Sequence, residues 1–138
     1  MIRKILIAYD GSESAKHACE FGLDIAQKFE AEVFVLSVAQ SPEMGEEVET
    51  EAIIENSRAY HSKLLTSVIH LAATRHMGVQ CEVAVGHAAE QIIYHADSHG
   101  VDLIVLGHRG KSVFQRLLVG SVSKQVMQHA SQPVLVVR

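Results

Sequence analysis

The chain has 138 residues, enough for one domain with a real hydrophobic core. With 48% hydrophobic and 20% charged residues it does not have the composition of a disordered chain, and a net charge of −4 offers no basic footprint for nucleic acid or an acidic membrane. Its two cysteines, Cys19 and Cys81, fall inside expected regular elements and read as small core residues in a reducing compartment.

Met1-Ile2-Arg3-Lys4 leads into the first expected strand, KILIAYD (4–10), with no secretory cleavage pattern. Segment 12–29 has a helical period carried by Ala15, Ala18, Cys19, Gly22, Ile25, Ala26 and Phe29. VFVLSV (33–38) is the second strand. The helix expected over 50–76 has the stripe Ile53, Ile54, Ser57, Tyr60, Leu64, Leu65, Val68, Leu71 and Ala72. VQCEVAV (79–85) is the third strand, and Ile92, Ile93 and Ala96 mark a helix over 88–99. DLIVLG (102–107), a helix over 121–130 with Val122, Val126, Met127 and Ala130, and PVLVVR (133–138) complete the series. Gly78 and Gly100 are placed to stop helices in the left-handed conformation. No apolar run approaches the roughly 18 residues of a membrane span, so the chain is expected to be soluble and cytoplasmic.

Strict alternation of strand and helix means βαβ units, hence a single-domain α/β fold over residues 1–138, with an open parallel sheet covered by helices on both faces. Strand 79–85 alternates cleanly, Val79, Cys81, Val83 and Val85 against Gln80, Glu82 and Ala84, which suits an edge. Runs 4–10 and 102–107 suit the centre. Right-handed crossovers then favour the Rossmann-like order 3-2-1-4-5 over the flavodoxin-like 2-1-3-4-5. The order reverses between strands 1 and 4, where ligands bind in such sheets. Strand 133–138 would be an outer strand, apolar throughout, so two copies are expected to pair there as a homodimer. Cover by the chain's own helices or loops is the alternative.

Residues 107–121 read GHRGKSVFQRLLVGS, and Gly110-Lys111-Ser112 has the look of a P-loop tail. A P-loop requires a glycine five residues before Gly110, where the chain has Val105 inside a strand. The glycines serve a different scheme. Gly107 and Gly110 are expected to turn the chain off strand 4 and bare their amides. Gly120-Ser121 then opens a helix, capped by Ser121 or Ser123, whose N-terminus favours an anion. Lys111 and Arg116 lie on the loop between. Asp10 faces them, to accept a ribose hydroxyl or help hold a phosphate-bound cation.

The spacing G-x2-G-x9-G-S over Gly107, Gly110, Gly120 and Ser121 resembles the nucleotide-binding signature of the universal stress protein family. The resemblance spans the chain: ILIAYDGSESA, VDLIVLGHRG and LLVGSVSKQVMQHASQPVLVVR all carry it. It implies an ATP-binding α/β domain, with AMP or ADP as alternative ligands and Mg2+ or Mn2+ held mainly by the phosphates. It also implies a dimer through the last strand. Carried over by position, it implies an adenine and ribose pocket at Ala8, Tyr9, Asp10 and Val38. It places the phosphates at Leu106, Gly107, Arg109 and Gly110, then Gly120, Ser121, Val122 and Ser123. Gly86-His87-Ala88 departs from the Gly-x-Pro found in many relatives and loosens the third helix's entry. A regulatory stress-response role with an unidentified protein partner follows from the resemblance.

Other readings stand beside these. Asp10-x-x-Glu13 also reads as a capping box, and Arg109 and Lys111 as solvated loop cations. His95 and His99 share a helix face, but the sequence places no third metal ligand, so they read as surface or boundary histidines and no metal residue is assigned. Glu43, Glu46, Glu47, Glu49, Glu51 and Glu55 lack calcium-loop spacing and read as a solvated linker and helix start. The competing function is a slow ATPase, or an autophosphorylating or adenylating enzyme at the same site. Asp10 and His108 are the nearby base candidates, and no catalytic residue is assigned.

Overall fold

The computed structural model describes residues 1–40, 47–109 and 120–138. The elements run β1 (Lys4–Ala8), α1 (Glu13–Phe29), β2 (Glu32–Ala39), α2 (Glu47–Thr74), β3 (Gln80–Val85), α3 (Ala88–His99), β4 (Leu103–Gly107), α4 (Ser121–His129) and β5 (Val134–Val137). Five strands form one parallel sheet in the order β3-β2-β1-β4-β5. The expected order is therefore the observed one, with β1 and β4 adjacent at the reversal.

Alternate residues of each central strand feed two cores. Ile5 and Ile7, with Val33, Val35, Leu103 and Val105, pack against Ala18, Cys19 and Leu23 of α1 and Leu65 and Val68 of α2. Leu6, Phe34, Leu36, Ile104 and Leu106 pack against Ala89, Ile92 and Ala96 of α3 and Val126 of α4. Ile5, Ile7 and Ile104 are fully enclosed, each contributing about 2 kcal/mol of burial free energy. The edge strand β3 keeps Gln80 and Glu82 exposed while Cys81 and Val83 meet the first core. Among the described residues, no helix is long and apolar enough to cross a membrane.

One helix boundary and one helix face differ from expectation. Gly100 does stop α3, at φ 64°, its N–H reaching Ala96 and Asp97 carbonyls. After α2, however, the left-handed residue is His76 (φ 57°), with Met77 N–H closing on Ala72 O at 2.9 Å. The turn is complete two residues before Gly78, so that glycine has no left-handed role. The second difference is the length of the apolar stripe on α2. Ile53 and Tyr60 are about half exposed, because a 28-residue helix rises about 42 Å and outruns the strands it covers. Only its second half has a sheet to pack on. Glu51 and Glu55 are solvated as expected, whereas Glu43 and Glu46 lie outside the described residues.

Candidate functional site

A cavity of about 600 Å³ opens beside the adjacent ends of β1 and β4. Every expected site residue that the structure describes lines it: Ala8, Tyr9 and Asp10 after β1, Val38 on β2, and Leu106, Gly107 and Arg109 at the end of β4. Gly120, Ser121, Val122 and Ser123 at the start of α4 close the ring. Gly110, Lys111, Ser112 and Arg116 lie outside the described residues. Val105, where a P-loop would need glycine, is fully buried in β4.

The β1 end is shaped by short-range polar bonds. The Ser12 N–H donates to Asp10 Oδ1 at 2.9 Å, which bends the chain toward α1. Ser12, not Asp10, is the N-cap, its Oγ accepting from Ala15 N–H at 3.2 Å. The capping-box reading of Asp10 and Glu13 is therefore replaced: Asp10 makes the turn, and Glu13 only supplies first-turn negative charge. Tyr9 is buried in the core between the sheet and α1–α2, its hydroxyl 3.5 Å from Ser67 Oγ.

At the β4 end the glycine has a different reason from the one expected. Gly107 does not have a positive φ. A Cβ there would instead stand 2.8 Å from Ser14 C and 2.9 Å from Ala15 N, and would collide with Ser14 Oγ. Glycine lets β4 run directly against the first turn of α1. Ser14 Oγ then donates to Arg109 O at 2.6 Å. Ser123 Oγ donates to Gly107 O at 2.6 Å, so this hydroxyl ties α4 to β4. The cap of α4 is Gly120, not Ser121 or Ser123, and among the described residues no side-chain cap hydrogen bond is made there. The first-turn N–H groups carry the positive end of the helix dipole into the cavity wall.

His108 is in the same turn but does not line the cavity. Its N–H donates to Val137 O at 2.7 Å and its carbonyl accepts from Gly120 N–H at 2.6 Å. Its Nδ1 is buried, with no hydrogen-bond partner among the described residues. Of the two base candidates read from the sequence, Asp10 lines the cavity and His108 does not.

Sequence reasoning missed the wall contributed by α2: Ser57, Tyr60 and His61. His61 Nδ1 lies 2.5 Å from Oγ of Ser37, a fully buried serine on β2. The helical period places Ser57 and Tyr60 in the stripe of 50–76. Their polar atoms, just where the stripe passes the strand ends, were the available signal. Ala15, Leu36, Gln40, Ala88 and Ile92 also line the cavity, so the departure at Gly86-His87-Ala88 reaches the wall through Ala88. His87 precedes α3 without a side-chain cap.

The lining divides into an apolar set, Leu36, Val38, Leu106 and Ile92, which belong to one core cluster, and a polar set, Asp10, Arg109 and the start of α4. Such a division suits a ligand with a flat apolar part and an anionic part.

The sequence profile of the universal stress protein family matches residues 1–138. A universal stress protein of Methanocaldococcus jannaschii is 34% identical over 141 residues, covering 100% of this chain and 83% of that protein. The structure of the universal stress protein UspA from Lactobacillus plantarum superposes with a TM-score of 0.90 at 26% identity, covering 99% and 98% of the two chains. Two more distant folds were determined with nucleotides. One universal stress protein holds cAMP (TM-score 0.76, 20% identity, coverage 99% and 97%), and one from Archaeoglobus fulgidus holds dAMP (0.60, 17%, coverage 100% and 98%). With the profile matched from end to end and the β3-β2-β1-β4-β5 sheet in place, this chain belongs to the universal stress protein family.

Proposed function

We propose that the protein binds an adenine nucleotide in the β1–β4 cavity, ATP with AMP and ADP as competitors, and acts as a dimeric cytoplasmic regulator in a stress response. The observation that carries this reading is the uncapped start of α4 and Asp10 lining one cavity with an apolar wall. The base lies against Val38 and its neighbours, and the phosphates lie toward Gly120–Ser123 and Arg109. The cAMP and dAMP complexes of the two distant family members agree with this class of ligand. A single carboxylate beside a polyphosphate is how Mg2+ is commonly held, so Asp10 fits a cation carried in mainly by the nucleotide. Dimerisation through 133–138 is supported by β5, an outer strand whose Val134, Leu135 and Val136 are only half-buried in one chain.

Calorimetric titration with Mg-ATP tests the binding. Nucleotide-stripped wild type is expected to bind with micromolar affinity. Gly120→Val, which sets a branched side chain at the mouth of the phosphate region, is expected to lose at least tenfold while keeping its circular dichroism. No binding by the stripped wild type would sink the assignment. Sedimentation should give twice the 15.1 kDa chain mass.

A further inference from the structure

We propose that Glu82, His95 and His99 form a zinc-binding site between the edge strand β3 and helix α3. The sequence sets the two histidines one turn apart but supplies no third ligand nearby. The fold supplies it from β3. His95 Nδ1 is 3.3 Å and His99 Nε2 is 3.7 Å from the same oxygen, Glu82 Oε2. One ligand atom from each of the three lies within 4.8 Å of the others. A zinc ion held tetrahedrally by nitrogen and oxygen ligands at its usual bond lengths spaces them about 3.3 Å apart. Two of the separations are close to that, and the third, within 4.8 Å, needs the two rings to close by at most about 1.5 Å.

The rings are held in place before any metal arrives. His99 stacks on Phe34 with centroids 4.3 Å apart and a 19° tilt, and His95 lies 6.1 Å from His99 at 28°. The His95 side chain is 14% exposed, His99 34% and Glu82 54%, so access improves toward the carboxylate. A second cavity of about 290 Å³ adjoins all three, floored by Leu6 and Phe34. Among the described residues no fourth protein ligand joins the cluster, which leaves that position to water or a small exogenous ligand. Two imidazoles and a carboxylate favour a borderline transition ion over Mg2+ or Ca2+. The site shares no residue with the Asp10 side of the nucleotide cavity, and a bound ion would fasten the polar face of the edge strand to α3.

The test uses tag-free, chelator-treated protein without nucleotide, dialysed against ZnCl2 and measured by elemental analysis and calorimetry. One zinc per chain is expected, unaffected by millimolar Mg2+, and Co2+ in its place should give the intense visible absorption of a tetrahedral complex. Glu82→Gln and His95→Gln are each expected to weaken zinc binding at least tenfold. His129→Gln, at an exposed position on α4, should leave it unchanged. Circular dichroism of each variant reports folding. Absence of saturable zinc binding by the wild type, full affinity in folded Glu82→Gln and His95→Gln, or an equal loss in His129→Gln would overturn the proposal.

Discussion

Replacing Gly107 with alanine tests the packing at the centre of the site. The added Cβ would stand 2.8 Å from Ser14 C and 2.9 Å from Ala15 N, against ordinary contact beginning at 3.4 Å. The first turn of α1 must therefore retreat from β4 by about 0.5 Å, and backbone cannot step aside as a flexible side chain would. Overpacking of this kind costs about 1–3 kcal/mol. The retreat also strains the 2.6 Å bond from Ser14 to Arg109 O, worth about 1 kcal/mol. Restricting the unfolded chain returns about 0.5 kcal/mol. The net loss is about 1.5–3.5 kcal/mol, or a fall in Tm of about 5–12 °C for a chain of this size. Thermal unfolding by circular dichroism measures it. Gly78→Ala is the control: nothing lies within 4 Å of its added Cβ and its φ is not positive, so Tm should hold or rise slightly. Ser14→Ala in the Gly107→Ala background removes the closest collision but leaves both backbone contacts, and should not restore stability. A Tm for Gly107→Ala within 1–2 °C of wild type, or full rescue by the double change, would refute the argument that glycine is there for close approach.

Other consequences are open to simple measurements. Ser123→Ala removes the donor to Gly107 O and should cost about 1 kcal/mol in urea unfolding, with α4 otherwise intact. Burial pushes the Cys19 thiol up from 9.0 to about 11. The unfolded thiol then ionises first, so stability is full below pH 9 and declines as pH rises toward 11; urea midpoints across that range check the sign. The N–H groups of Arg3 and Lys4, donating to Asp102 Oδ2 at 2.8 and 3.0 Å, hold its carboxyl below 3.8. That contribution is present above pH 3.8 and lost as pH falls through the lowered value. Asp102→Ala should therefore be less stable than wild type at neutral pH and converge with it in acid.

The features legible in the sequence were those set by repetition. Alternation of strand and helix, the clean period of Val79–Val85 and the apolar runs at 4–10 and 102–107 are distributed over many residues, and together they yield the observed sheet order. The site was legible where it coincides with strand ends and a helix start, since topology alone brings Asp10, Gly107 and Gly120 together. Single-residue conformations were not. His76 takes the left-handed turn expected of Gly78, and Ser12 takes the cap expected of Asp10, because each choice depends on one local geometry and leaves no periodic trace. Ser57, Tyr60 and His61 were hidden for another reason. Whether a residue in a helical stripe meets core or cavity depends on how far the helix extends past its sheet, and periodicity does not encode that length.

The polar bonds around residues 107–109 suggest how this site keeps its shape. Gly107 O accepts from Ser123, His108 O from the Gly120 N–H, and Arg109 O from Ser14. All three carbonyls are thus taken up, two by the start of α4 and one by the start of α1. With the carbonyls engaged, the backbone has little freedom to rotate its peptide planes, so the amides near the cavity keep their direction before a ligand arrives. Such preorganisation would lower the ordering cost of the anion binding proposed for this cavity. It also explains why serines, rather than larger polar residues, are found at positions 14 and 123. Each reaches a carbonyl at 2.6 Å, on the α1 side across a gap so narrow that β4 itself ends in glycine, and a longer side chain would force apart the elements that the bond is there to hold together.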